Sequence, residues 1–249
     1  MQPLLKNLPL GLLLIASLLT ACNKAPQKTS NDSCLNKHRL AWDYSQKQGP
    51  LTWGEEFEQC TGSHQSPIDI NTEKQSKTKD FSINYQASKI NLIDNEHTIE
   101  IDYDEGSTIT AFNDNYSLKQ FHFHSPSEHR INGARYDLEI HLVHKDAEGQ
   151  LLVLGIFAKE GKENHLIHRL WHHLPKEKGK HHIYPKEKIN ISDLLPKNQE
   201  AYYYEGSLTT PPCSERVKWI ILKEVIEVSR EQLDIFHNYY NWNVRSTQG

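Results

Sequence analysis

Residues 120–124, with the sequence Gln-Phe-His-Phe-His, place two histidines at alternating positions. Successive side chains of an extended strand point to opposite faces, so His122 and His124 would share one face and the two phenylalanines the other. Histidine is the commonest metal ligand in proteins, and two imidazoles on one face of a strand can bind the same ion. An isolated His-x-His pair is more often structural, so a metal site needs a further ligand nearby.

Residues 137–144 offer a third imidazole. The same alternation places Glu139, His141 and Val143 on one face of this segment and His144 on the opposite face. If the two segments are neighbouring strands, three neutral imidazoles leave a tetrahedral zinc ion with its fourth position open to water, as in catalytic zinc sites. The chain contains no His-Glu-x-x-His, the commonest pattern of zinc proteases.

The elements that must position these side chains are mostly strands, because segments rich in β-branched and aromatic residues alternate with Gly, Pro, Asn and Asp. Apolar residues at helical spacing predict helices over 163–174 and over 229–240, the second beginning with a cap-like Ser229. We therefore expect one domain, residues 42–249, built on a large, mostly antiparallel sheet with short surface helices. The predicted strands are 90–93, 98–103, 107–112, 117–123, 136–145, 151–159 and 216–227.

The composition is that of an ordinary globular protein and excludes nucleic acid as a partner. The chain has 249 residues, of which 37% are hydrophobic and 24% charged, and a formal net charge of −4. Lysine and arginine number 28 against 32 acidic residues, with no basic block that could follow a phosphate backbone. Histidine is unusually frequent, at 15 residues.

The N-terminus predicts export. Residues 8–21 are apolar but shorter than the roughly 20 residues that span a bilayer, as in a signal peptide. The sequence Leu-Thr-Ala-Cys that ends at Cys22 resembles a bacterial lipobox, which predicts a signal peptide over 1–21, a lipidated Cys22 and a polar tether over 22–41. We expect the protein to be anchored by this lipid in the bacterial envelope, at the outer membrane facing the periplasm; an ordinary secretory signal is the alternative.

Cysteine usage agrees with an oxidising compartment. Lipidation of Cys22 would leave Cys34, Cys60 and Cys213, which allow three alternative pairings. One of these thiols must stay free or pair with another molecule.

Six motifs occur in one order over most of the chain. They are Gln-Ser-Pro-Ile-Asp-Ile at 65–70, Gln-Phe-His-Phe-His at 120–124, Ser-Glu-His at 127–129, Glu-Ile-His-Leu-Val-His at 139–144, Val-Leu-Gly-Ile-Phe at 153–157 and Gly-Ser-Leu-Thr-Thr-Pro-Pro at 206–212. From Trp42 to Gln248 the chain resembles an α-class carbonic anhydrase. The resemblance implies a single sheet of about ten strands and zinc at the bottom of a conical cleft, bound by His122, His124 and His141.

The resemblance also implies roles for residues around the zinc. Thr209 would accept a hydrogen bond from a zinc-bound hydroxide and donate one to Glu128, which turns the oxygen lone pair toward CO2. Gln120 and Glu139 would hold ligating imidazoles through their other ring nitrogens, which fixes tautomer and basicity. An apolar pocket would receive CO2. Its expected residues are Val143, Val153, Leu208, Thr210 and Trp219.

A proton must also leave the site during turnover. His97 lies where the family has a histidine that passes this proton to buffer, and Tyr44 matches a tyrosine that orders the connecting waters. Glu96 stands where the family commonly has glycine.

Further features follow from the resemblance. It implies a Cys60–Cys213 disulfide, which leaves Cys34 to form a dimer through an intermolecular bond. Sulfonamides and anions are expected inhibitors. The family continues past Asn-x-Arg-Pro-x-Gln with another strand, whereas this chain has Ser246 in place of that proline and reads only to Gly249, so an edge strand is expected to be missing.

The remaining histidines of the middle region predict a solvated surface, on a helix and the loop after it, with adventitious metal binding as the alternative. They are His165, His168, His172, His173, His181 and His182.

Three functions compete. The favoured one is zinc-dependent, reversible hydration of carbon dioxide to bicarbonate and a proton. The others are a non-catalytic binding module displayed on the same fold, which loss of a ligating histidine would indicate, and a zinc hydrolase of another kind.

Overall fold

A computed structural model describes residues 42–74 and 80–249. These residues belong to the unit Leu40–Gly249. The predicted signal peptide, the lipidation site Cys22, the tether and Cys34 lie outside the described residues. Within the described ranges, no helix combines the length and the apolar character needed to cross a membrane.

Thirteen strands and three α-helices form the described part of the chain. The strands are β1 Asp69–Ile70, β2 Phe81–Asn84, β3 Ser88–Asp94, β4 Ile99–Asp102, β5 Thr108–Ala111, β6 Asp114–His124, β7 Arg130–Ile131, β8 Leu138–Lys145, β9 Leu151–Glu160, β10 His181–Ile189, β11 Ala201–Ser207, β12 Glu215–Leu222 and β13 Ile226–Val228. The helices are α1 Trp53–Glu56, α2 His165–Trp171 and α3 Arg230–Tyr239, and two 3₁₀ helices span Glu58–Thr61 and Ile191–Leu194.

Eleven strands form one sheet, in the order β10-β3-β4-β6-β8-β9-β12-β11, with β5 beside β6, β2 beside β5 and β13 beside β9. β1 and β7 pair separately. The prediction of one large sheet of about ten strands is confirmed. The sheet is mixed, however, because β9 pairs in parallel with β12 and with β13. The chain between β9 and β12 contains α2, β10 and β11, which is ample for the crossover that a parallel pair requires.

Each predicted strand overlaps an observed strand, but one of the predicted strands merges two observed ones. The strand predicted over 216–227 is two strands, β12 and β13. The sequence also missed β1, β2, β7, β10 and β11. The loop predicted around His181 and His182 is wrong, because both residues begin β10. β10 ends the strand order and is almost entirely exposed, so it lacks the apolar alternation that identifies half-buried strands.

The back of the sheet carries the main core. Phe121 and Phe123 are fully buried there, on the face opposite His122. The Phe123 ring lies 4.9 Å from the ring of Trp171 in α2 and 6.0 Å from that of Phe236 in α3. The two helices therefore cover this face, and the other face of β6 is left for the histidines.

Ser229 begins α3 as predicted. Its side chain accepts a hydrogen bond from the backbone of Gln232, and the Gln232 side chain accepts one from the backbone of Ser229. This reciprocal capping box satisfies two backbone donors at the helix N-terminus.

His144 faces the back of the sheet, as the alternation predicts. It is fully buried, and its Nε2 lies 2.8 Å from the hydroxyl of Tyr85. Burial lowers the pKa of His144 to about 3, so this imidazole is neutral at physiological pH. His144 is a hydrogen-bonded core residue and does not belong to the metal cluster.

Cys60 and Cys213 form a disulfide, as the resemblance implies, across a sequence separation of 153 residues. The bond joins the first 3₁₀ helix to the turn that follows β11. Trp53 packs on it, with Trp42 and Tyr44 partly buried against the same cluster. The disulfide thus fastens the N-terminal aromatic residues to the turn that carries Thr209.

Candidate metal centre and active site

β6 and β8 bring His122, His124 and His141 together. The two strands are antiparallel neighbours, and His122 lies opposite His141 in their register. Ring centroids are 5.0 Å apart for His122 and His124, 5.3 Å for His122 and His141, and 4.6 Å for His124 and His141. One nitrogen from each ring lies within 4.8 Å of the others, so the three can bind one ion.

Two of these imidazoles are held by side chains two residues away. His122 Nδ1 is 2.8 Å from Gln120 Oε1, and His141 Nε2 is 2.8 Å from Glu139 Oε1. With the amide oxygen and the carboxylate as acceptors, the histidine nitrogens donate. The lone pairs therefore lie on His122 Nε2 and His141 Nδ1. The positions that the sequence predicted for Gln120 and Glu139 agree with this geometry.

The third imidazole is held by the backbone. His124 Nδ1 donates to the carbonyl of Asn243 at 2.7 Å. Its Nε2 is buried and has no hydrogen-bond partner among the described residues. A buried ring nitrogen without a partner is costly, and a metal ion would satisfy it.

The charge state of the cluster suits zinc. Burial, followed by the proximity of His124 and His141, lowers the pKa of His122 well below its usual value. Burial also lowers the pKa of His124, against the opposing charge of Glu128. Neutral imidazoles are the form that binds metal, and three of them with an orphaned buried nitrogen fit a zinc ion.

Glu139 is itself held by His129, which the sequence did not assign a role. The backbone N–H of His129 donates to Glu139 Oε2 at 2.8 Å, and His129 Nδ1 lies 2.7 Å from Glu139 Oε1. His129 Nε2 is 2.6 Å from the hydroxyl of Tyr204, which reaches Ser66 Oγ at 2.8 Å. A buried chain of hydrogen bonds thus fixes the carboxylate that orients His141.

The charges around Glu139 keep it ionised. Burial alone raises the pKa of this carboxyl, but the electrostatic interactions and hydrogen bonds with His129 and His141 lower it well below its usual range. The carboxylate can therefore accept hydrogen bonds from both imidazoles across the physiological pH range.

Glu128 and Thr209 are both buried, but the hydrogen bond implied between them is not formed. Glu128 Oε1 accepts from the backbone N–H of Arg245 at 2.9 Å. Glu128 Oε2 has no hydrogen-bond partner among the described residues and lies 3.6 Å from His124 Nε2 and 4.0 Å from His141 Nδ1. That oxygen faces the histidine cluster with its acceptor capacity unused. The hydrogen bond from the Thr209 hydroxyl to Glu128, which the resemblance implies, therefore remains a prediction.

An apolar wall lies beside the cluster. Val143, Val153 and Trp219 are register partners across β8, β9 and β12, so their side chains form one row. The Trp219 ring is 4.9 Å from the ring of His141. Leu208 packs against the same apolar group, and Thr210 follows it as a half-buried turn residue. Of the predicted pocket residues, Val143, Val153, Leu208 and Trp219 therefore form one apolar group beside His141.

His97 lies on the loop between β3 and β4, half-buried. Its ring stacks on Trp42, with centroids 3.7 Å apart and planes 8° from parallel. The His97 carbonyl accepts from Asn243 Nδ2 at 3.1 Å, so the residue that holds His124 also holds this loop. Glu96 has φ of 70°, a left-handed conformation that favours glycine. The glycine that the resemblance leads one to expect here would adopt this conformation without strain.

Tyr44 lies in the aromatic group at the N-terminal side of the site, its ring 5.8 Å from those of Trp42 and Trp53. Burial raises the pKa of Tyr44 well above its usual value, and the Glu128 carboxylate contributes. The hydroxyl therefore stays protonated and available for hydrogen bonding on the Glu128 side of the site.

Glu100 also faces the cluster, which the sequence did not predict. It lies opposite His122 in the register of β4 and β6. Burial, together with the nearby charge of Asp102, raises the pKa of Glu100 to about 7, although Asn95 donates a hydrogen bond to it. This carboxyl is therefore partly protonated near neutral pH.

Asn243 and His129 lacked any periodic signal in the sequence, whereas Glu100 lies in the alternating segment predicted as a strand over 98–103. Asn243 belongs to the Asn-x-Arg pattern and His129 to Ser-Glu-His. Residue spacing alone could not show that these two residues hold His124 and Glu139.

We expect Glu139→Gln to weaken zinc binding by about 10- to 100-fold, because the substitution removes the carboxylate charge with which both His129 and His141 interact. Competition with a chromogenic chelator measures the affinity. Glu148→Gln, an exposed turn substitution, is the matched control, and far-UV circular dichroism verifies folding. An unchanged affinity in a folded variant would show that Glu139 does not orient the ligand.

Comparisons with known proteins agree with this site. The sequence model described as "Eukaryotic-type carbonic anhydrase" matches residues 48–248. A carbonic anhydrase of Neisseria gonorrhoeae is 37% identical over 228 residues, which cover 90% of this chain and 87% of that protein. One from Nostoc sp. strain PCC 7120 is 34% identical over 248 residues, covering 96% and 91%.

Solved structures show the same similarity. A hyperthermostable carbonic anhydrase identified from a hydrothermal vent chimney has a TM-score of 0.79 and 42% identity, covering 84% of this chain and 96% of that one. The α-carbonic anhydrase of Thermovibrio ammonificans, in complex with the inhibitor sulfanilamide, has a TM-score of 0.81 and 41% identity over the same shares. The chain belongs to the α-carbonic anhydrase family.

Proposed function

We propose that this protein hydrates carbon dioxide reversibly to bicarbonate and a proton, with zinc bound by His122, His124 and His141. The observation that carries the proposal is the convergence of three imidazoles whose outward nitrogens are all hydrogen-bonded and whose inward nitrogens share one point. When bound there, zinc supplies a nucleophile from water at neutral pH by lowering the pKa of that water to about 7.

The residues around the cluster fix its geometry before any substrate binds. Gln120, Glu139 and Asn243 accept hydrogen bonds from the three rings and so select the tautomers that bind metal. Glu128 Oε2 faces the cluster without a donor. We assign its missing donor to the Thr209 hydroxyl, whose oxygen would then accept a hydrogen bond from the attacking group and orient it.

Substrate binding uses apolar contacts. Carbon dioxide has no charge for a side chain to bind, and the row of Val143, Val153 and Trp219 offers a water-poor surface beside His141. Leu208 and Thr210 border the same surface from the turn after β11. These residues would hold carbon dioxide in a water-poor position beside the metal cluster.

Proton release is assigned to His97. Its position on a loop at the Trp42 side of the site, stacked and half-buried, suits a group that alternates between the interior and bulk buffer. Tyr44 would order the water molecules between the metal cluster and His97.

We expect stopped-flow measurements on zinc-quantified protein to show CO2 hydration within about a hundredfold of the ~10⁶ s⁻¹ ceiling of this chemistry. The His122→Ala/His124→Ala variant should fall to the buffer rate. His181→Ala/His182→Ala removes two histidines from exposed β10 and should retain the activity. A folded, zinc-loaded protein without hydration activity would contradict the enzyme and favour a binding module.

We expect His97→Ala to lower the maximal hydration rate by roughly 10- to 100-fold in dilute buffer, because proton transfer then limits turnover. Added imidazole should restore much of that rate, and kcat/KM should change little. A variant whose kcat/KM falls as far as its kcat would place His97 in substrate binding and would overturn its role as proton carrier.

The Thermovibrio enzyme binds sulfanilamide, and we propose that sulfonamides and small anions inhibit this protein at the same cluster. Sulfanilamide in the hydration assay serves as the probe.

We also propose that the protein is exported and lipid-anchored in the bacterial envelope through Cys22, with Cys34 linking two chains. The support is the apolar segment, the Leu-Thr-Ala-Cys sequence and the disulfide between the other two cysteines. Mass spectrometry of the mature protein is expected to find acylated Cys22 as its first residue and a Cys34–Cys34 bond; an unmodified N-terminus would contradict the anchor.

A further inference from the structure

A second group of histidines lies on α2, away from the active site. The Trp171 ring of α2 packs against Phe123, 4.9 Å between centroids. Phe123 points to the face of β6 opposite His122 and His124. The exposed residues of α2 are therefore separated from the metal cluster by the sheet itself.

His168 and His172 are one helical turn apart and both are exposed. Their ring centroids are 4.5 Å apart. Residues four apart are neighbours on a helix surface, and two histidines at this spacing can bind one metal ion. His172 Nδ1 lies 3.1 Å from the carbonyl of His168, and a carbonyl only accepts, so the lone pair of His172 is on Nε2 and points outward.

A carboxylate accompanies the pair. Glu163 Oε1 is 3.5 Å from His168 Nδ1. A hydrogen bond donated by His168 Nδ1 to this carboxylate would leave Nε2 of His168 for a metal, with Glu163 holding the ring from its other side. The same device, an imidazole whose outer nitrogen is held by an oxygen, recurs in metal sites.

The backbone that carries these residues is firmly fixed. The Asn164 side chain caps α2 by accepting from the N–H groups of Leu166 and Ile167. Gln232 of α3, which is buried, exchanges two hydrogen bonds with the Asn164 backbone, at 2.9 and 2.7 Å, and its carbonyl accepts from Trp171 Nε1 at 2.9 Å. Only the exposed side chains need to move to close on an ion.

The charge of the surrounding groove favours a cation. A cavity of about 340 Å³ between α2 and α3 is lined by Glu163, His168 and His172, with Glu231 from α3 and an apolar floor of Trp171 and Ile235. The described lining contains two carboxyl groups and no lysine or arginine. Ca²⁺ and Mg²⁺ prefer all-oxygen sites, whereas imidazoles with a carboxylate suit Zn²⁺, Cu²⁺ and Ni²⁺.

We propose that His168, His172 and Glu163 form a second binding site for a divalent transition-metal ion such as Zn²⁺. The site offers two imidazoles instead of three, and both are exposed, so it binds more weakly than the catalytic cluster. An ion held there joins His168 to His172 across the last turn of α2 and stabilises the helical form to which it binds.

The test is a zinc titration, monitored by isothermal titration calorimetry, of the protein that already holds one zinc per chain. We expect a second equivalent to bind. His168→Gln and His172→Gln should each weaken that second equivalent at least about tenfold, and Glu163→Gln by a smaller factor. Since all three residues are exposed, these variants should fold and should hydrate CO2 at the parental rate.

His182→Gln, an exposed histidine on β10, is the matched control and should leave the second equivalent unchanged. Nitrogen-15 spectra of the histidine rings give an independent readout, with zinc expected to shift Nε2 of His168 and His172 first. Binding of only one zinc would overturn the proposal. So would a second equivalent that survives both α2 substitutions, because the ion would then lie on another histidine group.

Discussion

The site depends on one irregularity in the pairing of β6 with β8. Leu118 lies opposite His144 and Gln120 lies opposite Val143, so β6 carries one extra residue at this point. Leu118 consequently faces the core, while Gln120 faces the metal cluster, although residues two apart normally share a face. Without the bulge, the register would place His122 opposite Ile140, and no shared imidazole site could form.

That pairing places a polar cluster within a buried region, where each group needs a partner. The outward nitrogens of the three rings donate hydrogen bonds to an amide oxygen, a carboxylate and a backbone carbonyl. The backbone N–H of Arg245 donates a hydrogen bond to Glu128. The Arg245 guanidinium donates to the side chain of Gln65 and to the carbonyl of Cys60. The C-terminal segment therefore connects the disulfide region to the cluster. Within the cluster, His124 Nε2 and Glu128 Oε2 are left without hydrogen-bond partners among the described residues.

The sequence predicted what depends on local alternation and missed what depends on distant contacts. The faces of His122, His141 and His144 follow from a period of two residues, and all three were confirmed. Asn243 holds His124 across 119 positions of sequence, a contact that no periodic pattern encodes. β10 was missed for a different reason: an exposed edge strand needs no apolar alternation.

The packing behind His141 shows why one small residue in β9 is part of the site. Gly155 lies opposite His141 in β8 and opposite Ile221 in β12. A Cβ atom at position 155 would lie 2.6 Å from Ile221 Cδ1 and 3.4 Å from Glu139 Oε1. A Cβ there would have to displace the end of the Ile221 side chain and would already touch the Glu139 carboxylate, so a longer side chain would push against one or the other. The glycine thus leaves room beside His141 for the Glu139 carboxylate, which both His129 and His141 reach.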